Sequence, residues 1–200
     1  MKTAFKILGA VVFVAVVAFV GWRFLQARRA QQAGLLSENI THDNDKWKAD
    51  FTAWIPAPEE TVFDTMRQVE KAHNDHVKAI HVVSQTGDSK TVQMDLAGFG
   101  GQTATVEMEF HYDPEQGRMT YRTVNSPLMN AQGEYHLSNS GGGTLIEYHE
   151  TVTGVPNQFP DAVVQQVIRT IFVAQLEALQ SALHITTATE SDAGDEEPAF

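Results

Sequence analysis

Alternating apolar and polar residues along the middle of the chain predict a run of β-strands. The clearest case is "TATVEMEFHY" (103–112), where every second side chain is apolar and those between are Thr, Glu or His. Weaker examples lie at 79–85, 91–97, 118–124, 132–138 and 144–152. Short turns rich in Gly, Pro, Asn and Asp separate several of these stretches, and consecutive strands joined by short turns predict an antiparallel sheet.

The first predicted strand passes into a helix at "WIPAPEETVFDTM" (54–66). Pro58 has a fixed φ and no backbone N–H, so it suits the first turn of a helix. Val62 and Met66 then recur at helical spacing. A second short helix is predicted over 69–76, so that two short helices follow the first strand.

The last predicted element is a long amphipathic helix from about Asn157 to His184. Its apolar face is predicted from residues three and four apart: Val164, Ile168, Phe172, Leu176, Leu179 and Leu183, widened by Val167, Ile171, Ala174 and Ala178. The polar face is predicted to carry Gln165, Arg169, Glu177 and Gln180. Because a helix of this length needs a large apolar surface to pack against, we expect it to lie along the sheet.

The first 29 residues form a separate predicted unit, a transmembrane anchor. Ile7 to Trp22 is uncharged and mostly apolar, and the apolar character continues past Arg23 to residue 25, which is long enough to cross a bilayer. A cleaved signal peptide is the alternative, but the run is long for one and no clean small-residue cleavage site follows it. We therefore expect a single-pass protein of the inner or plasma membrane, attached through residues 7–25, with its domain on the non-cytoplasmic side.

Three further units are predicted after the anchor. Residues 30–46 are polar and show no apolar period, which predicts a linker. Residues 47–184 form a segment long enough to bury one hydrophobic core. Residues 185–200 are small, polar and acidic, which predicts a disordered tail.

Charge and cysteine content narrow the range of functions. The chain has no cysteine, which excludes disulfides, thiolate metal sites and cysteine nucleophiles. All 25 acidic residues, but only nine of the 14 basic residues, follow residue 30. The chain after the anchor is therefore strongly acidic, which argues against nucleic acid as a partner, because phosphate binding needs concentrated positive charge. No pattern in the sequence identifies a protein partner.

The order of the predicted elements, together with the local sequence, resembles the START-like superfamily, also called the Bet v 1-like or polyketide cyclase/dehydrase (SRPBCC) family. The resemblance is carried by "IPAPEETVFDTM", "DPEQGRMTYRTV", "GEYHLSNSGGGTLIEYHETV" and the helix after "GVP". It implies an α+β helix-grip fold, in which a curved antiparallel sheet of about seven strands wraps round the long C-terminal helix. It also implies an elongated apolar cavity between sheet and helix. Members of the family bind lipids, sterols, quinones or polyketides, and some are cyclases or hydrolases.

The sequence carries no recognisable catalytic or metal-binding signature. His73 and His76 are three residues apart, but they lie where a short helix should end and lack further ligands, so neither a metal nor another cofactor is expected. His111, His136 and His149 fall on the polar faces of predicted strands and are expected to face solvent. No G-x-S-x-G motif is present, which removes one common class of serine nucleophile.

The faces that point inward in the implied fold define a predicted ligand-binding wall: Val106, Met108, Phe110, Met119, Tyr121, Tyr135, Ile146, Tyr148, Ile168 and Phe172. Tyrosines in such a wall supply polar groups to a mostly apolar cavity. The alternative is that they are core residues whose hydroxyls bond the backbone. The same alternation points Glu150 inward, which makes it the one candidate for a catalytic acid or base, and we expect it at the rim in contact with water.

These observations support three hypotheses about function. The first is a membrane-anchored module that binds or transfers a hydrophobic small molecule, such as a lipid, quinone, sterol or polyketide-like compound. The second is a cyclase- or hydrolase-like enzyme that uses the same cavity, with Glu150 and the tyrosines as acid/base groups. The third is an interaction domain whose cavity is filled by its own side chains. The missing nucleophile–base pair favours binding without turnover.

Overall fold

Eight antiparallel strands form one curved sheet in the computed structural model of the chain, which describes residues 30–71, 77–97, 103–127, 129–155 and 159–184. The strands are β1 (Leu35–Asp43), β2 (Lys46–Ile55), β3 (Val77–Thr86), β4 (Ser89–Ala97), β5 (Thr103–Asp113), β6 (Arg118–Asn125), β7 (Asn130–Ser140) and β8 (Gly143–Thr153). Their order across the sheet is β1-β2-β8-β7-β6-β5-β4-β3, so β8 returns to pair with β2.

Helices follow the sheet strands β2 and β8, and the predicted helix-grip architecture is confirmed. Helix α1 (Glu59–Arg67) follows β2 and is succeeded by a single 3₁₀ turn (Val69–Lys71). Helix α2 (Asp161–Ala182) lies along the inner face of the sheet and is about 33 Å long at the usual rise per residue. Its buried residues are Val164, Ile168, Phe172, Val173, Leu176 and Gln180.

The predicted linker over 30–46 is wrong, because β1 occupies most of it. This strand pairs with β2 through a tight turn at Asn44, whose φ of 58° lies in the left-handed region that Asn tolerates. The residues before β1 are also packed, since Ala30 and Ala33 are at most 2% exposed. Most of β1 itself is exposed, so it shows no apolar alternation, and the sheet has eight strands rather than the expected seven.

The segment from Ala30 through β1 also changes which side of α2 is buried. Gln180 was predicted on the polar face, but it is 7% exposed and its side-chain amide donates to the carbonyl of Gln32 at 3.4 Å. Arg169, on the same side, forms an ion pair with β1. Conversely, Val167 and Ile171 were expected on the covered face but are 39% and 40% exposed. The covered face is thus rotated toward β1.

Helix α2 covers the inner face of the sheet unevenly. Inward side chains on β2 and β7, such as Phe51, Ile55 and Leu137, are at most 2% exposed. On β3 and β4, by contrast, the inward Ile80 and Met94 are only partly buried. The inner face therefore has a closed half around β2, β7 and β8, and a less covered half, on which Ile80, Met94 and Met108 are partly buried while Val92, Val106 and Phe110 are buried.

Several predictions fall on residues that the structure does not describe. The predicted anchor (1–29), the tail (185–200) and the second part of the short helix (72–76) all lie outside the described residues. Among the described helices, α2 alone is long and apolar enough to cross a membrane by length and composition. Because one face of α2 is buried against the sheet, it is a core helix of this domain.

Candidate ligand-binding site

All four tyrosines of the chain point to the inner face of the sheet, and three of them surround Glu150. Each of the four is at most 8% exposed. Alternation along β6, β7 and β8 brings Tyr121, Tyr135, Tyr148 and Glu150 to the same face of neighbouring strands. Tyr121, Tyr135, Tyr148 and Glu150 are called the tyrosine–glutamate cluster below.

Hydrogen bonds connect the cluster and attach it to α2. The Tyr121 hydroxyl donates to Glu150 Oε1 at 2.6 Å and also forms a hydrogen bond with the hydroxyl of Tyr148. The Tyr135 hydroxyl donates to Oε1 of Gln175 on α2 at 2.8 Å. The cluster therefore links three neighbouring strands to the long helix, through buried tyrosines, the partly buried Glu150 and the exposed Gln175.

Gly133 on β7 makes the hydrogen bond between Tyr121 and Glu150 possible. In the strand register Tyr121 lies opposite Gly133, which lies opposite Glu150, so the bond spans an intervening strand. A Cβ at Gly133 would lie 2.8 Å from Cε1 and 2.9 Å from the hydroxyl oxygen of Tyr121. Only a residue without a side chain lets the tyrosine ring cross β7. Gly133 was not among the predicted site residues, although a glycine inside a predicted strand is a signal in the sequence.

A stack of aromatic rings fills the closed half of the inner face beside the cluster. Ring centroids are 4.3 Å apart for Tyr135 and Tyr148, 5.0 Å for Tyr148 and Phe172, and 4.3 Å for Phe172 and Phe51. These separations are typical of stacked aromatic pairs in a packed core. In this half, the protein's own side chains occupy the space that the resemblance assigned to a cavity.

The opposite side of the cluster is packed less completely. The ring of Phe110 on β5 lies 5.9 Å from that of Tyr121, and beyond it Met108 and Met94 are only partly buried. The strand register places Phe110, Tyr121, Gly133 and Glu150 in one row across β5 to β8. The polar groups of the cluster therefore border the less covered, apolar half of the inner face.

Burial governs the ionisation of the cluster. Desolvation raises the pKa of Glu150 above its ordinary value of 4.5, and hydrogen bonds from Tyr121 and Tyr148 offset part of this rise. Burial likewise raises the pKa of all three tyrosines, and the nearby Glu150 charge raises it further. The phenols therefore stay protonated at neutral pH and can act as hydrogen-bond donors.

Lys90, a buried cation on the inner face, forms its ion pair at the end of α1 and not with the cluster. Its Nζ lies 2.8 Å from Glu70 Oε2 and 2.7 Å from the carbonyl oxygen of Arg67, so it binds the end of α1 and the turn that follows. Within the part of the chain that the structure describes, no ion pair joins Glu150 to a basic residue. The cluster therefore combines a carboxyl group with phenols and aromatic rings, but with no positive charge.

The ten residues predicted as a ligand-binding wall all lie on the inner face or on the covered face of α2. Nine of them are at most 8% exposed, and Met108 is partly buried. Glu150 is partly exposed and borders a groove on the outer face, so its expected contact with water stays a prediction. Its carboxylate also accepts a hydrogen bond from Tyr121, which the missing side chain at Gly133 makes possible.

The outer face of the sheet is polar and carries the histidines expected there. His111, His136 and His149 are exposed on this face. His73 and His76 lie outside the described residues, and the residues that are described contain no group of His, Cys, Asp and Glu that could hold a metal ion.

A groove of about 760 Å³ crosses the same outer face. Most side chains that border it are polar or charged, and the groove also reaches Tyr121 and Glu150 of the cluster. His149 Nδ1 lies 2.6 Å from Asp50 Oδ1, and Arg122 lies 2.6 Å from Glu109. This groove therefore does not suit a hydrophobic ligand, and the inner face remains the candidate site.

Comparisons with known proteins agree with the fold. The family model described as "Polyketide cyclase / dehydrase and lipid transport" matches residues 46–184. TTHA0849 from Thermus thermophilus has a TM-score of 0.62 at 18% identity, over 68% of this chain and 97% of that chain. The Zhui aromatase/cyclase from Streptomyces sp. R1128 has a TM-score of 0.59 at 18% identity, over 70% and 94%.

A START superfamily protein from Mycobacterium smegmatis has a TM-score of 0.57 at 14% identity, over 70% of this chain and 99% of that chain. No curated protein sequence matches the chain at a significant level. At these identities the solved structures share the fold, and the similarity by itself assigns no ligand or reaction.

Proposed function

The chain belongs to the polyketide cyclase/dehydrase and lipid transport family, and we propose that it is a membrane-anchored module that binds or transfers a hydrophobic small molecule. The ligand, a lipid, quinone, sterol or polyketide-like compound, would occupy the less covered half of the inner face. Its polar end would meet the tyrosine–glutamate cluster, and its apolar part would lie against β4 and β5.

One observation carries this proposal: apolar inner-face residues that α2 leaves partly uncovered border a buried group of hydrogen-bonding side chains. Ligand sites for small molecules are mostly apolar with a few placed polar groups, and this juxtaposition has that composition. Met94 and Met108 supply flexible apolar surface that adapts to ligands of different shape. Tyr121 and Glu150 supply the polar end.

Binding without turnover fits the cluster better than catalysis. A nucleophilic mechanism needs a base positioned against the nucleophile, and the tyrosines are held protonated by burial, which raises their pKa. A cyclase-like reaction is the second candidate, and one observation favours it. The raised pKa of Glu150 moves this carboxyl toward the range in which a general acid or base works.

Membrane attachment through residues 7–25 is supported by the uncharged apolar run in the sequence. Ala30 is 2% exposed, so the folded domain begins directly after the anchor segment. If residue 25 ends the span, residues 26–29 alone separate it from the domain, and four extended residues reach about 14 Å at most. A domain held this close, on the non-cytoplasmic side of the inner or plasma membrane, could exchange a membrane-resident ligand.

Co-purification tests the binding function. A chain that begins at residue 30 is purified under native conditions and extracted with organic solvent, and the extract is analysed by mass spectrometry. We expect an apolar compound to accompany the native protein. Met94→Glu places a charge on the less covered half and should lose the compound, whereas Gln93→Glu, exposed on the outer face of the same strand, should retain it.

The outcome against the proposal is a folded protein that carries no apolar compound and binds no apolar dye. The cyclase candidate is tested separately with any compound that the extraction identifies. Glu150→Gln keeps the shape of the side chain but cannot exchange a proton, so conversion by this variant is measured together with its binding of the same compound. Loss of conversion in this variant with binding retained would favour the enzyme.

A further inference from the structure

The hydroxyl hydrogens of the tyrosine–glutamate cluster are all used within the protein. Tyr121 donates its hydrogen to Glu150, and Tyr135 donates its hydrogen to Gln175. The Tyr148 hydroxyl lies against the Tyr121 hydroxyl, and since the Tyr121 hydrogen goes to Glu150, the single Tyr148 hydrogen is donated either to Tyr121 or to Glu150. A ligand that arrives at the cluster therefore finds no free hydroxyl hydrogen.

Acceptor capacity, in contrast, is left over. A carboxylate offers about four lone-pair positions, and the hydroxyl groups of Tyr121 and Tyr148 can use at most two of them. The buried cation Lys90 lies on β4 and is occupied by Glu70 and the Arg67 carbonyl. The fourth inward tyrosine, Tyr112, lies against Phe63 of α1, outside the cluster, and its buried hydroxyl has no hydrogen-bond partner among the described residues.

The unused acceptors favour some ligands over others, according to the chemistry of the ligand's polar end. A carboxylate or phosphate would be placed beside a carboxyl group without any cation to bind it, and burying unpaired charge is costly. A ketone or an ester needs a donor, and while Glu150 is ionised the cluster has none to spare. A hydroxyl or an amine brings its own hydrogen to the unused lone pairs of Glu150.

Building on the proposed function, we infer that the ligand is an apolar molecule whose polar end carries a hydrogen-bond donor, a hydroxyl or an amine, which binds the carboxyl group of Glu150. Sterol-like alcohols, phenols and long-chain alcohols or amines belong to this class. Free fatty acids, phosphate esters bound through the phosphate, and simple ketones do not. Glu150 is then the residue that determines specificity, while the aromatic rings provide the apolar environment.

Naphthalene probes of matched size test the inference. The full chain is placed in lipid nanodiscs, and its affinity for 2-naphthol, 2-methoxynaphthalene, 2-acetylnaphthalene and 2-naphthoate is measured by equilibrium dialysis, with empty nanodiscs subtracted. We expect 2-naphthol to bind about tenfold or more tightly than 2-methoxynaphthalene, because methylation removes the hydrogen that a charged acceptor would bind. The ketone and the carboxylate should bind at least as weakly as the ether.

Two variants assign the preference to a residue. Glu150→Gln replaces one acceptor oxygen with an N–H donor, so the preference for 2-naphthol should fall and the affinity for 2-acetylnaphthalene should rise. Glu147→Gln removes the same charge from the exposed outer face of the same strand and should leave the ratios unchanged. Thermal unfolding shows whether each variant is folded. If a variant is unfolded, the relative affinities of the native protein for the four probes still test the donor inference.

Different results would overturn the donor inference and the proposed function. Native protein that binds the ketone or the carboxylate as tightly as 2-naphthol overturns the donor inference and leaves binding of hydrophobic molecules standing. A preference for 2-naphthol that survives Glu150→Gln also overturns it, because the specificity would lie elsewhere. Absence of binding by all four probes, in protein that yields no apolar compound on extraction, overturns the proposed function together with the inference.

Discussion

Gly133 and Glu150 show how single residues build the polar end of the site. A buried carboxyl group without a cationic partner costs stability, and burial raises its pKa as a direct consequence. Perturbed groups of this kind are concentrated at functional sites, which supports a functional reason for Glu150. Gly133 acts through geometry, since its missing side chain lets Tyr121 reach across a strand to that carboxyl group.

Gly133→Ala should break the contact between Tyr121 and Glu150. The added Cβ would lie 2.8 Å from the Tyr121 ring and 2.7 Å from the carbonyl oxygen of His149, so both must shift. Overpacking of this kind costs about 1–3 kcal/mol, measurable as a lower midpoint of denaturant unfolding. The preference for donor probes should also fall. Gln132→Ala, exposed next to it on the outer face, serves as the control, and equal losses in the two variants would contradict this account.

The pH dependence of stability provides a second test at the scale of residues. Because the folded state raises the pKa of Glu150 above 4.5, it binds a proton more tightly than the unfolded chain does. The stability from protonated Glu150 is therefore present below about pH 4.5 and is lost as the pH rises through the folded-state pKa. Glu150→Gln should be more stable than the native protein at pH 7, and the difference should shrink toward pH 4.

Denaturant titrations between pH 4 and pH 8 measure this difference for native protein, Glu150→Gln and Glu147→Gln. Glu147 lies on the exposed outer face of the same strand, 4.0 Å from His136, so this control separates removal of a charge from relief of burial. A native protein that gains stability relative to Glu150→Gln as the pH rises would show that the carboxylate form is the stabilised one. In that case the hydrogen bonds from the tyrosines would outweigh burial.

At the scale of elements, the edge strand β1 determines which face of α2 is buried. Gln180 is covered because the segment before β1 packs against it, and its amide finds the Gln32 carbonyl. On the other side, no described element covers Val167 and Ile171, and they remain about 40% exposed. The asymmetry leaves one half of the inner face less covered, and the proposed ligand lies there.

Strands whose side chains alternate between buried and exposed were predictable from the sequence. In β5, Val106, Phe110 and Tyr112 are buried at every second or fourth position, so the strand and its inward face were both predictable. Most side chains of β1 are exposed, and the strand is held by backbone pairing with β2. Its sequence therefore shows no apolar alternation. The inward tyrosines were predictable in the same way as β5. Their hydrogen bonds were not, because these depend on register and on Gly133.

Phe172→Asp should unfold the domain. Its ring is 2% exposed and stacks on Phe51 and Tyr148, so the substitution buries an unpaired carboxylate and removes two ring contacts. Burial of an unpaired charge costs several kcal/mol, against a total stability of about 5–15 kcal/mol. Val167→Asp, on the exposed side of the same helix, should cost much less. Circular dichroism and denaturant unfolding measure both, and similar losses would mean that the exposed face is misassigned.

At the scale of the whole molecule, the packed segment before β1 changes how the domain would relate to a membrane. A flexible linker over 30–46 would have let the domain move some tens of ångströms away from the bilayer. Ala30 and Ala33 are instead buried in the fold, so the domain and the predicted anchor are nearly contiguous. A site held at the bilayer surface would receive a hydrophobic ligand without a long passage through water.

Fractionation tests the anchor itself. The full chain should sediment with membranes and resist carbonate extraction, because residues 7–25 are long and apolar enough to span a bilayer. A chain that begins at residue 30 should be recovered in the soluble fraction. Mature protein with an N-terminus near residue 30 would instead identify the first segment as a cleaved signal peptide.

Limited proteolysis of the membrane-bound full chain distinguishes a packed attachment from a flexible one. Trypsin cleaves after Lys and Arg and needs an accessible, extended segment, which ordered strands do not offer. Lys46 and Lys48 lie in β2, where their backbone pairs with both β1 and β8. We therefore expect that brief digestion leaves Lys46 and Lys48 uncut, so that any fragment released begins after Arg28 or Arg29, and that digestion in urea, which unpairs the strands, cuts at both lysines. Rapid release of a soluble fragment that begins at residue 47 or 49, without urea, would mean that this segment is a flexible tether in solution.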